Sequence, residues 1–258
     1  MAGILEGKTA LVFGVANRRS IAWGIAQALA AEGATLAFTY QGERIEAGVR
    51  ELAGSLGSTV VLPCDVTKDE DLDSVFESVG KELGGLDILI HAVAFAARED
   101  LEGRFTDTKR SNFAMAMDIS AYSLTAMVQR AEPMFEARGG GAVLAMTYLG
   151  GERAVPKYNV MGVAKSALDS SVRYLAMELG EKNIRVNAIS AGPIRTLAAR
   201  SISGFTVMEE HYEKRAPLRR NVDASEVGQT ALFLCSPMSS GITGEIVHVD
   251  AGYHAIGF

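Results

Sequence analysis

Between residues 9 and 249 the chain alternates strand-length apolar runs with segments of helical period, and this order limits its possible folds more than any other feature. The strand candidates are residues 9–13, 35–40, 59–64, 86–93, 142–148, 184–189 and 245–249. Helix-period stretches lie between them: 21–32 before Gly33, about 44–56, about 69–83 before Gly84, one or two helices within 106–138, and about 157–179 before Gly180. The strands are near-continuous in apolar residues rather than alternating, the pattern of a sheet covered on both faces. Regular β/α alternation then predicts an α/β fold, a doubly wound parallel seven-stranded sheet with helices on both faces. With no Pro- or Ser-rich linker and no internal repeat, one domain over residues 1–258 is expected.

Composition narrows the partners. The balance of 48% hydrophobic and 22% charged residues excludes disorder, collagen-like repeats and coiled coil. A net charge of −6 argues against nucleic acid or an anionic membrane surface as a main partner. Cys64 and Cys235 form no C-x-x-C and no disulfide framework, which fits a reducing compartment. The first residues lack the basic-then-apolar pattern of a signal peptide. The longest apolar stretch, near 88–97, is interrupted by His91 and too short to span a bilayer. A cytoplasmic protein with no membrane insertion and no metal is expected.

In doubly wound sheets ligands bind beyond the carboxyl ends of the strands, so candidate residues are sought there. After the first strand, Gly14 opens a loop that reaches a helix at Ser20 and Ile21, a layout that offers backbone N–H groups to a pyrophosphate. The spacing is not G-x-G-x-x-G, and Ser20 also reads as a simple helix cap. Gln41 follows the second strand, where an acidic residue usually meets the adenosine ribose; it brings no charge for a 2′-phosphate. Asp65 and Val66 follow the third strand and suit an adenine amino group and face, though Asp65 reads equally as a helix-flanking residue. After the fourth, small residues from Ala92 to Ala96 allow a flat ligand close to the backbone, and His91 reads as a hydrogen-bonded core histidine. In the segment after the sixth strand, Thr196 can donate to a phosphate or carboxamide.

The chemical centre is expected at Tyr148, Tyr158 and Lys165. Seven helical residues return a side chain to within roughly 20° after two turns, some 10 Å further on, so Tyr158 and Lys165 point the same way with Met161 between them. A lysine ammonium beside a phenol favours the phenolate and is expected to lower the Tyr158 pKa. A chance surface pairing is the competing reading, and Tyr148, at the end of the fifth strand, converges on the same mouth.

Together these residues resemble the short-chain dehydrogenase/reductase superfamily, and more narrowly its divergent branch, the bacterial enoyl-[acyl-carrier-protein] reductases. The marker is Tyr158 and Lys165 with six residues between, where the wider superfamily has three; Gly162 occupies the position that shorter spacing would give to lysine. Tyr148-Leu149-Gly150, the stretch from Tyr158 to Gly162, Ala191 to Thr196, and Gly14 to Ala22 also match the branch. The resemblance implies a Rossmann-like fold with a substrate-binding loop and helices at about 191–220. It implies hydride transfer from NADH, with NADPH less favoured, to C3 of a trans-2-enoyl thioester on an acyl carrier protein. Tyr158 would hold the thioester carbonyl and its enolate, Lys165 the nicotinamide ribose, and Tyr148 would flank the substrate. Carried over as cofactor contacts are Gly14, Ser20, Ile21, Gln41, Asp65, Val66, Val93, Ile194, Arg195, Thr196, Leu197 and Ala198; Ala96 and Met161 join the tyrosines as substrate contacts. A homotetramer is implied as well.

Two departures matter. The serine that precedes the tyrosine in the wider superfamily is missing, with Ala145 and Met146 nearby, which disfavours an ordinary carbonyl or alcohol dehydrogenase. A non-catalytic dinucleotide sensor would be expected to have lost Tyr158 or Lys165. Thr206-Val207-Met208 stands where some members carry basic residues, so an acidic carrier protein would need another basic rim. Arg195, Arg200, Lys214, Arg215, Arg219 and Arg220 are the candidates.

Overall fold

The computed structural model describes residues 3–196 and 205–257. Among these, seven strands form one parallel sheet: β1 (Thr9–Phe13), β2 (Thr35–Tyr40), β3 (Val60–Pro63), β4 (Ile88–His91), β5 (Gly141–Thr147), β6 (Ile184–Ala191) and β7 (Ile246–Val249). Their order across the sheet is β3-β2-β1-β4-β5-β6-β7, every neighbouring pair parallel. The chain winds outward from β1 to β3, then crosses back to pair β4 with β1. That reversal leaves a crevice beyond the carboxyl ends of β1 and β4.

The unbroken apolar runs have a direct cause: successive side chains of one strand enter two different cores. Ala10 and Val12 of β1 face one layer while Leu11 and Phe13 face the other, and β5 repeats the split with Leu144 and Val143. The first layer is covered by α1 (Ile21–Ala31), α2 (Glu43–Ser55) and α9 (Ala224–Cys235) through residues such as Ile25, Leu52 and Leu234. The second is covered by α3 (Asp69–Leu83), α6 (Ser123–Ala137) and α7 (Asn159–Leu179) through Val75, Phe135 and Leu168. His91 is fully buried, its Nε2 2.7 Å from Ser123 Oγ, and burial pushes its pKa down to about 3, as a core histidine requires.

Several boundaries differ from expectation. The region from 106 to 138 holds α5 (Arg110–Met117), a π turn at Asp118–Tyr122 and then α6, with a short α4 (Arg98–Glu102) before them. The fourth strand is shorter than expected at both ends, with residues 86–87 and 92–93 outside it, and β6 runs two residues longer. Three helices were not placed by periodicity: α4, α8 (Phe205–Arg215) and α9. Among the described residues no helix is long and apolar enough to cross a membrane.

Candidate active site

Beyond β1, Gly14 adopts φ +104, and a Cβ there would lie 2.2 Å from the Ala92 carbonyl oxygen, so the loops after β1 and β4 meet in a way only glycine permits. Ser20 does not cap α1. Its hydroxyl oxygen instead accepts from Ala16 N–H at 3.0 Å and Asn17 N–H at 3.1 Å, which folds the loop back on itself. The first-turn N–H groups of α1 are therefore left without a side-chain cap, at the positive end of the helix dipole. That is the arrangement an anionic phosphate group needs.

Gln41 is exposed at the end of β2 and neighbours the Asp65 carboxylate. Burial opposes ionisation of Asp65, but hydrogen bonds from Thr67 and Gln41 outweigh it and hold the carboxyl below its ordinary range. Val66 and Val93 pack at the edge of the second core layer. A cavity of about 390 Å³ opens beyond the carboxyl ends of β4, β5 and β6. Ile21, Ala96, Tyr148, Tyr158, Met161, Ile194 and Thr196, all expected at the site, line that cavity. Arg195 points away from it to Glu209, and Leu197, Ala198 and Arg200 lie outside the described residues.

Tyr148 and Tyr158 meet at the cavity wall with ring centroids 4.8 Å apart and planes at 67°. β5 ends at Thr147, Tyr148 continues extended, and a 3-10 turn at Leu149–Gly151 leads the chain back to α7. A Cβ at Gly150 would lie 2.4 Å from the Tyr158 ring, and one at Gly162 would lie 2.7 Å from the Gly150 carbonyl oxygen. The absence of a side chain at Gly162 is thus a packing requirement of the tyrosine pair. Tyr158 immediately precedes α7 rather than lying inside it.

Lys165 is 5% exposed and donates from Nζ to the Met146 carbonyl oxygen at 2.7 Å. Burial lowers its pKa to about 8, with Asp169 acting in the opposite direction. The expectation that an ammonium would lower the Tyr158 pKa is not met. Burial dominates, the nearby Tyr148 and Asp169 add to it, and the phenol is held well above its ordinary value. Desolvation is the one term a linear sequence does not display.

The cavity is mostly apolar, with Leu101, Phe205 and Met208 on its walls; sequence reasoning missed these as site residues. Phe205, Met208 and Tyr212 recur at i, i+3 and i+7, the helical period that could have revealed α8 and its inward face. The Thr147 hydroxyl is buried at the cavity, where it helps hold the Asp169 carboxylate. An uncapped helix start and an apolar slot beside buried Lys165 fit a nicotinamide dinucleotide. Among the described residues no cluster of three or more His, Cys, Asp or Glu is arranged to hold a metal ion.

Three of the six cations expected on the basic rim pair with acids. Arg195 pairs with Glu209 at 2.8 Å, Arg220 with Glu226 at 2.6 Å and Lys214 with Glu210 at 3.9 Å, while Arg219 donates to the Lys214 carbonyl.

Comparison with known proteins agrees with this geometry. A family model described as enoyl-(acyl carrier protein) reductase matches residues 14–254. The NADH-named enoyl-[acyl-carrier-protein] reductase FabI of Bacillus cereus is 54% identical over 98% of this chain and 99% of its own. The NADPH-named FabI of Staphylococcus aureus strain MRSA252 is 51% identical over 98% of both chains. A crystal structure of the Bacillus cereus enzyme with NADP+ and indole naphthyridinone superposes with a TM-score of 0.96 at 54% identity, covering 99% of this chain and 100% of that one. The Aquifex aeolicus enzyme superposes with a TM-score of 0.96 at 49% identity, covering 99% of this chain and all of that one. From sheet order to tyrosine pair, the chain belongs to the enoyl-[acyl-carrier-protein] reductase family of short-chain dehydrogenase/reductases.

Proposed function

We propose that this chain reduces the trans-2 double bond of enoyl-[acyl-carrier-protein] thioesters with NADH, in bacterial type II fatty-acid elongation in the cytoplasm. The observation that carries this reading is the Tyr148–Tyr158 pair on the wall of an apolar cavity, with Lys165 buried behind it. Ile21, Gly14 and Ser20 hold the pyrophosphate side of the dinucleotide, Gln41, Asp65 and Val66 its adenosine, and Ile194 and Thr196 its nicotinamide end. Bound there, a nicotinamide dinucleotide would supply the hydride chemistry that reduction at C3 of the enoyl chain requires. Lys165 orients the ribose through its ammonium. Tyr158 donates a hydrogen bond to the thioester carbonyl oxygen; as electron density moves onto that oxygen the bond strengthens, which lowers the barrier to the enolate. Its raised pKa keeps the phenol protonated and able to donate at neutral pH. One proton delivered to C2 completes the saturated thioester. Met161, Ala96 and Leu101 give the acyl chain an apolar path and exclude water.

NADH is favoured over NADPH because Gln41 brings no charge for a 2′-phosphate and two cations near the adenosine end are engaged by acids. Arg18 pairs with Glu51 and Arg50 with Glu46, and Glu43 and Glu46 stand in the first turn of α2, opposing a 2′-phosphate. The test follows cofactor absorbance with a trans-2-enoyl thioester, with a simple ketone, and with NADPH replacing NADH. Turnover of the thioester, none of the ketone, and a preference for NADH of about tenfold or more, in line with loss of one charge-assisted contact, are expected. Turnover of the ketone alone would transfer the chain to the carbonyl dehydrogenase reading.

A further inference from the structure

The Tyr148 hydroxyl has two neighbours from α8: the Tyr212 hydroxyl at 3.1 Å and the Met208 sulfur at 3.3 Å. Tyr212 is 4% exposed, and its ring stacks on Tyr253 with centroids 3.7 Å apart and planes at 16°. The stack leaves the ring little freedom, so its hydroxyl is presented to Tyr148 from a fixed support. A thioether accepts weakly and has no proton to give. When Tyr148 directs its own proton into the cavity, Tyr212 is therefore the hydroxyl that donates to the Tyr148 oxygen.

We propose that Tyr212 is a positioning residue for the enoyl-thioester reaction: from α8 it donates a hydrogen bond to the Tyr148 oxygen, fixing that phenol at the cavity wall and strengthening it as a donor to the substrate. This rests on the reading of Tyr148 as a substrate-facing phenol. A donor on a phenol oxygen stabilises the partial negative charge that grows as the phenol leans on a carbonyl, and hydrogen bonds in such a chain reinforce one another. Burial raises the Tyr148 pKa, and the bond from Tyr212 acts in the opposite direction. The other titratable groups facing Tyr148 are Tyr158 before α7, and Tyr253 and Asp250 of the C-terminal segment, which oppose a phenolate. α8 itself is tied down beside Tyr212. Glu209 accepts from Arg195 Nε at 2.8 Å, and the Glu209 carbonyl accepts from Asn221 Nδ2 at 3.2 Å. The helix that closes one wall of the cavity thereby also sets the donor strength of a phenol on the adjoining wall.

Tyr212→Phe keeps the stack on Tyr253 and removes one hydroxyl. Assayed in the intact enzyme with a trans-2-enoyl N-acetylcysteamine thioester and NADH, it is expected to lower kcat about three- to tenfold, the worth of one hydrogen bond. KM for NADH and the melting temperature should stay near wild type, and the alkaline limb of the kcat profile should move to higher pH. In a Tyr148→Phe background the same change should have no further effect. A Tyr212→Phe enzyme with wild-type or higher kcat and an unmoved pH profile overturns the proposal, as does an equal loss in both backgrounds. Wild-type kcat in Tyr148→Phe alone would instead overturn the reading of Tyr148, a separate outcome.

Discussion

The least ordinary residue of the site is Lys165, an ammonium 5% exposed whose pKa burial brings down to about 8. A lysine depressed in the folded state stays protonated longer in the unfolded chain. Between about pH 8 and the ordinary lysine value the unfolded state binds more protons, so this residue's cost to stability fades as pH rises through that window. Function runs the other way: above pH 8 the charge that orients the ribose is lost. The expected result is a kcat/KM for NADH that declines above about pH 8 in wild type. Lys165→Met should raise KM for NADH by about tenfold or more, the worth of hydrogen bonds from a charged donor, and abolish that limb. An unchanged alkaline limb in Lys165→Met would assign the titration to another group. Tyr158→Phe, by contrast, should reduce kcat by about 10²- to 10³-fold while cofactor binding persists, since it removes a donor that matters most at the transition state.

At the scale of elements, the site depends on how closely α7 lies against the turn after β5. Gly162→Ala would bring a methyl group to 2.7 Å from the Gly150 carbonyl oxygen, within a turn that also holds both tyrosines. A loss of about 1–3 kcal/mol in denaturant unfolding is expected, with kcat falling as the tyrosine pair shifts; a variant as stable and active as wild type would remove this packing account. The elements differed in how openly the sequence announced them. β1, β2 and α3 carry dense apolar runs or a clear period, and their expected limits match the structure. α9 went unread although Asp223 and Glu226 form a capping box at its start, a local signal independent of hydrophobicity. The second half of α8 is charged, and Phe205, Met208 and Tyr212 mark its inner face. The tyrosine and lysine positions were legible from spacing, but their protonation was not, because burial arises only when β5, α7 and α8 come together.

The whole molecule leaves apolar surface uncovered on the α5–α7 side. Val163, Tyr174 and Met177 are exposed along α7 at spacings that keep them on one face, and Phe113, Met115 and Tyr122 are exposed nearby in sequence order on α5 and the π turn. This face suits an interface between copies of the chain; for the homotetramer that the family resemblance implies, light scattering should return four times the 27.4 kDa chain mass, and a monomer in solution would contradict it. At the same scale, a net charge of −6 and the pairing of Arg195, Lys214 and Arg220 with acids weaken the attraction of this face for an acidic carrier protein, so docking is expected to rest on apolar contact at the cavity mouth as much as on charge. The central claim is the reduction itself, and isotope transfer tests it most directly. With NADH carrying deuterium at both C4 positions and a trans-2-enoyl thioester, mass spectrometry should find one deuterium at C3 of a saturated acyl chain and solvent hydrogen at C2. Deuterium absent from C3, or an acyl chain still unsaturated after the cofactor is consumed, would contradict the account.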